Sequence, residues 1–156
     1  MWILDRIDGK ILRELEADGR LSFAELGERA GLSKSPCWAR VRDLQKAGVI
    51  EGFGARINPG ALGLAVQCLV NVQIDFGADR AFEAAVIDHP GILECHTIAG
   101  DSDYVLRIHA RSVEHLDEML RNDLTGLPGV QRFSTTVCLK PVKARASLAR
   151  WAEMTA

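Results

Sequence analysis

Apolar residues recur with two different periods along this chain, and the change of period divides it. In the first stretch the spacing is helical, about 3.6 residues per turn. Ile7, Ile11 and Leu15 give a first helix its apolar side, with Asp5 as the cap at its start. Phe23, Leu26 and Ala30 fall on one face of a second helix. Ser22 and Glu25 open it as a capping box, each side chain satisfying the other's orphan backbone N–H. Gly31 stands where a helix end needs positive φ, and Ala30 to Ser33 make a turn. A third helix begins at Ser33 or Ser35; Pro36 fits either start, because the first turn does not need its missing N–H. Cys37, Val41 and Leu44 form its apolar stripe. Val49 to Ile57, with Gly52 and Gly54 between short apolar pieces, reads as a small β-wing, and Asn58-Pro59-Gly60 is a turn signal.

From Val66 the period becomes two. Val66, Cys68, Val70, Val72 and Ile74 alternate with Gln67, Leu69, Asn71 and Gln73, which makes a long strand. A helix follows with Phe82, Ala85, Val86 and His89 on one side, ended by His89-Pro90-Gly91. Ile92 to Ala99 and Tyr104 to Ala110 read as strands joined by Gly100-Asp101-Ser102-Asp103. A second helix starts at Ser112, with Val113, Leu116, Leu120 and Leu124 as its inner face. Leu127-Pro128-Gly129 breaks it, and Val130 to Lys140 makes a fourth strand. This β-α-β-β-α-β order is the ferredoxin-like arrangement, whose helices cover one sheet face and leave the other for a partner. The fold class is therefore α+β: a winged helix-turn-helix domain over 1–58, a linker over 59–64, a βαββαβ domain over 65–142 and a helical tail over 143–156 that carries Leu148 and Trp151.

Two short helices joined by a tight turn are what a protein uses to lay the second into the major groove of DNA. Stepping about 100° per residue, Ser35, Trp38, Ala39, Arg42, Gln45 and Lys46 lie opposite the apolar stripe, with Lys34 and Arg40 at the edges. Ser35, Trp38 and Arg42 suit base edges, and Lys34, Arg40 and Lys46 suit phosphates. The competing reading is a solvated charged face on an ordinary surface helix.

The formal net charge of −2 is unhelpful for such a binder until it is divided. Residues 1–58 hold 10 Lys and Arg against 9 Asp and Glu; residues 59–156 hold 9 against 12. Neither part is a non-specific DNA coat, so affinity must come from a local patch doubled by dimerisation. Cys37, Cys68, Cys95 and Cys138 have no paired metal-ligand spacing and suit small core positions in a reducing compartment. No apolar run reaches a membrane span and no signal segment opens the chain, which points to the cytoplasm. His89, His96, His109 and His115 form no metal box, and no nucleophile elbow, P-loop or dinucleotide fingerprint appears. Neither catalysis nor a cofactor is expected.

The turn at Gly100 has chemistry of its own. Gly100 permits positive φ and close backbone approach, so that successive N–H groups cup a carboxylate, while Asp101 and Asp103 accept from an ammonium. Those are the two ends of a free amino acid. Ser102 lies in the same turn, and Thr135 and Thr136 on the fourth strand either line the same pocket or, equally, form a polar strand face. A hairpin turn whose aspartates cap backbone groups is the competing reading.

Several segments resemble the Lrp/AsnC (feast/famine) transcriptional regulators, nearly along the full length. LDRIDGKIL, DGRLSFAELGERAGLS and RVRDLQKAGVIEGFGA are similar to that family's winged helix-turn-helix. GDSDY matches its effector-domain signature G-x-x-D-Y, and LPGVQRFSTTVCLKPVK resembles its last strand. The resemblance implies a sequence-specific regulator, a homodimer often assembled into octamers, and a second domain that senses amino acids or related metabolites. A two-fold dimer implies a pseudo-palindromic operator in double-stranded DNA. The alternative is a small-molecule-binding regulatory or enzyme subunit with no DNA role.

Overall fold

The computed structural model describes residues 2–155. The chain divides into two compact units, 1–56 with 143–156, and 57–142.

The first unit is helical: α1 (Arg6–Ala17), α2 (Phe23–Ala30), α3 (Lys34–Lys46) and, after the chain returns, α6 (Leu148–Thr155). Asp5 caps α1 by accepting from the N–H groups of Ile7 (2.8 Å) and Asp8 (2.7 Å). The capping box of α2 is complete: Ser22 Oγ accepts from Glu25 N (3.3 Å) and Glu25 Oε2 accepts from Ser22 N (2.9 Å). Gly31 closes α2 with φ of 78°, a left-handed conformation that only glycine adopts without strain. Gly27 lets the turn fold tightly, because a Cβ there would sit 2.8 Å from the Leu32 carbonyl oxygen. The helix α3 starts after Ser33, whose side chain makes no cap bond. Ile11, Leu26, Cys37, Val41 and Leu44 are all but fully buried, so three amphipathic faces meet in one core.

One sequence expectation is revised here. The segment from Glu51 to Asn58, expected as a small β-wing, is exposed and irregular and forms no strand. Its apolar pieces are too short, and too interrupted by Gly52 and Gly54, to sustain a ladder. The helical tail packs on the first unit: Ala149 is buried in its core, whereas Leu148 and Trp151 are exposed.

The second unit holds β1 (Val66–Ile74), α4 (Asp79–Asp88), β2 (Ile92–Thr97), β3 (Tyr104–Ala110), α5 (Val113–Met119, continued as a wider turn over Leu120–Leu124) and β4 (Val130–Cys138). The sheet order is β2-β3-β1-β4 with every neighbouring pair antiparallel, the ferredoxin-like order. Strand alternation sorts its residues. Cys68, Val70, Val72, Tyr104, Leu106 and Ile108 pack with Phe82, Val86, Leu116 and Leu124. Val113, expected on the inner face of α5, is exposed, and the buried residues of the helix are Leu116 and Met119. The opposite sheet face carries Leu69, Val105, Arg107 and Thr136, side by side through the pairs Leu69–Arg107 and Leu69–Thr136. No helix described in this unit lies over it, and Leu69 is 37% exposed.

Candidate nucleic-acid interface and effector turn

The stripe of Cys37, Val41 and Leu44 fixes how α3 is rotated, and so which side chains it presents outward. Lys34, Ser35, Trp38, Arg42 and Lys46 are exposed; Ala39 is half-buried between them. Arg42 lies over the Trp38 ring, with its guanidinium carbon 4.8 Å from the ring centre, and also donates to Asp43 Oδ1 from Nε (3.3 Å) and NH2 (3.2 Å). Stacking holds a planar donor group out from the helix, a position suited to a base edge.

Arg40 departs from the expected phosphate role. Its NH1 donates to Asp5 Oδ2 (2.5 Å) and to Asp8 Oδ1 (2.7 Å), which ties α3 to the start of α1. Asp8 is buried, and its other oxygen receives the Trp2 indole N–H at 3.4 Å. Backbone donation from Asp8, reinforced by Arg40, holds the Asp5 carboxyl below its ordinary range, and the two carboxylates raise the Arg40 guanidinium. A buried carboxylate needs its cation, and this pairing joins α3 to α1.

At the other candidate site, the turn between β2 and β3 is exposed at Gly100, Asp101 and Asp103 and half-buried at Ser102. Gly100 does not adopt positive φ, contrary to expectation. Asp103 is built into the hairpin: its Oδ2 accepts from Ile74 N (2.9 Å), its N–H donates to Val72 O (3.0 Å) and its carbonyl accepts from Ile98 N (2.9 Å). That leaves Asp101 as the carboxylate of the turn with no hydrogen bond among the described residues. Tyr104 points into the core, where its hydroxyl donates to Glu83 Oε1 at 3.0 Å and its ring meets Phe82 at 4.6 Å between centres. Burial first, then the Glu83 carboxylate, pushes its phenol up to about 12.

Thr135 and Thr136 do not share a pocket. Thr135 pairs with Val70 on the helix-covered face and Thr136 with Leu69 on the open one. Adjacent strand residues must diverge in this way. The Thr135 Oγ1 is buried with no hydrogen-bond partner among the described residues.

The sequence reading missed Arg145 and Arg150, which return with the tail to the helical unit. The run Lys143, Arg145, Arg150, unbroken by an acid, was the available signal.

A helix-turn-helix unit joined to a small-molecule-type βαββαβ unit is the architecture of a ligand-responsive DNA-binding regulator. Comparison with known proteins agrees. Residues 4–51 match the winged helix-turn-helix DNA-binding model, and residues 67–148 match the Lrp/AsnC ligand binding domain. The leucine-responsive regulatory protein of Salmonella typhimurium is 41% identical over 143 residues, covering 90% of this chain and 87% of that protein. The transcriptional regulatory protein DoeX of Halomonas elongata is 41% identical over 145 residues, covering 90% of each. A transcriptional regulator of Neisseria meningitidis, solved as a complex with L-methionine, superposes with a TM-score of 0.89 at 33% identity over 94% of this chain and 96% of that one. LrpC of Bacillus subtilis gives 0.84 at 30% identity, over 92% and 100%. The chain belongs to the Lrp/AsnC family of DNA-binding transcriptional regulators.

Proposed function

We propose that Ser35, Trp38 and Arg42 read base edges in the major groove while Lys34 and Lys46 hold phosphates. The observation that carries this reading is the rotation of α3: its buried stripe leaves those five side chains together on the outer face. Arg40 is left out, because its guanidinium is occupied by Asp5 and Asp8. The membrane plays no part in this reading; no described helix is long and apolar enough to cross one. A regulator of this kind works in the cytoplasm, where its DNA is.

The effector is an amino acid or a close relative, held at the turn by Asp101 and by exposed backbone N–H groups. Asp103 shapes the turn rather than binding the ammonium, since a substitution there would release the Ile74 N–H as well. One chain offers the turn no enclosure, and an apolar side chain of a ligand needs it. The site is therefore completed by a second copy. The open sheet face, with Leu69 exposed beside Val105, supports a homodimer, which can assemble further into octamers.

Two measurements test this. A labelled duplex from the chain's own upstream region should bind at physiological salt and protect a pseudo-palindromic site whose halves lie about 34 Å apart or a multiple of it. A thermal-shift screen of the amino acids, repeated on Asp101→Asn, should find a stabilising ligand whose effect the substitution removes. Absence of any stabilising amino acid, or an unchanged Asp101→Asn response, contradicts the effector assignment.

A further inference from the structure

We propose that the tail beginning at Lys143 is a second DNA-contact arm, gripping backbone phosphates beside the segment read by α3; this rests on the DNA-binding role of the helical unit. Its docking is specific. Glu16 accepts from Leu148 N (2.9 Å), from Ala149 N (3.4 Å) and from the Ser147 hydroxyl, which caps the start of α6 on the end of α1. Ala149 is buried in the core of the unit. At the far end of α6 the Glu153 carboxylate lies against Gly9 of α1 and pairs with Arg13.

This docking brings Arg145 and Arg150 to a cleft of about 810 Å³ that Arg13, Arg56, Glu16 and Gly19 also line. Its one carboxylate, Glu16, is occupied in capping α6, and Arg13 is paired with Glu153. Arg56 donates to the Ala17 carbonyl at 3.3 Å; the guanidiniums of Arg145 and Arg150 have no hydrogen-bonded or ionic partner among the described residues. Arg56, Arg145 and Arg150 therefore line an open cleft whose one carboxylate, Glu16, leaves it with an excess of positive charge. The fork of a guanidinium matches phosphate oxygens.

Position and charge select DNA as the source of those phosphates. Gly19 belongs to the turn that leads into Ser22, the start of α2, and in a helix-turn-helix the helix before the recognition helix crosses the DNA backbone. With the tail included, the helical unit holds 13 Lys and Arg against 10 Asp and Glu, a net +3. The sheet unit holds 6 against 11, a net −5. The tail thus raises the positive charge of the unit that meets DNA.

The test is the salt dependence of binding to a duplex of arbitrary sequence, for the full chain and for Arg145→Gln/Arg150→Gln. Neither substitution touches the Glu16 cap or Ala149, and circular dichroism should confirm an unchanged fold. Removing two phosphate contacts should flatten the log–log slope by about 1.8, so that the parent loses about tenfold more affinity than the variant between roughly 50 and 200 mM salt. Arg145→Lys/Arg150→Lys should keep the parental slope. An unchanged slope in the Gln variant, with Lys46→Ala still flattening it, overturns the arm and leaves the α3 reading intact. A parent that binds no duplex at low salt overturns both. Stabilisation by inorganic pyrophosphate that the Gln variant loses, with no change in DNA slope, would make the cleft a small-anion site instead.

Discussion

The helical unit and the sheet unit solve the same problem, fixing which side chains face outward, over very different stretches of chain. In α3 the outward face follows from three residues, Cys37, Val41 and Leu44, within two turns of one helix. In the sheet it follows from register: whether Thr135 or Thr136 faces the helices depends on pairing with Val70 and Leu69, more than sixty residues away in sequence. A one-residue slip would exchange them. Local structure defines the DNA side, whereas the effector side depends on distant partners.

The largest effect expected from breaking this comparison lies in the helical unit. Arg40→Ala should leave Asp8 buried without its cation and lower stability by about 3 kcal/mol. A second substitution, Asp8→Asn, should recover much of that loss, as read by urea denaturation. Binding should fall with stability and not otherwise; a stable Arg40→Ala protein that has lost DNA affinity would return Arg40 to the phosphate-holding set.

Titration separates the two units next. Folding depresses the carboxyls of Asp5 and Glu25, through backbone donation from Asp8 and through the Ser22 hydroxyl respectively. A depressed carboxyl contributes stability above its unfolded value and loses it as pH falls, so the helical unit should weaken below about pH 4. Glu94, held low by Arg107, adds an acid limb to the sheet unit. The sheet unit also has an alkaline limb. Tyr104 is raised from 10 to about 12, so its contribution is full below pH 10 and lost as pH rises toward 12. Tyr104→Phe should remove that limb in a melting series across pH; persistence of the limb would assign it elsewhere.

The smallest effect concerns the register itself. Thr135→Val replaces a buried hydroxyl that has no partner among the described residues with a methyl of the same shape, and should stabilise the sheet unit by about 1 kcal/mol. The same change at Thr136, on the open face, should do little to the isolated chain. Equal effects at both positions would contradict the register.

The comparison also explains how much was legible in the sequence. The capping box, Gly31 and the stripe of α3 are local, and the structure reproduces them. The order of the elements could be read because β1 alternates over nine residues and local breakers such as His89-Pro90-Gly91 and Leu127-Pro128-Gly129 bound the elements after it. What escaped depends on distant partners. Arg40 looks like any edge cation until α1 brings Asp5 and the buried Asp8 beneath it. Asp103 looks like a ligand until the end of β1 places the Ile74 N–H against it. Arg145 and Arg150 lie about 90 residues beyond Arg56, and nothing local tells which unit the tail rejoins.

The central claim is that the outer face of α3 reads sequence. Its most direct test is the ratio of affinities for the chain's own operator and for a scrambled duplex, measured by fluorescence anisotropy for the parent and Arg42→Ala. The account predicts that Arg42→Ala lowers that ratio by about 1–3 kcal/mol while binding to the scrambled duplex changes far less. A parental ratio retained in Arg42→Ala would contradict it.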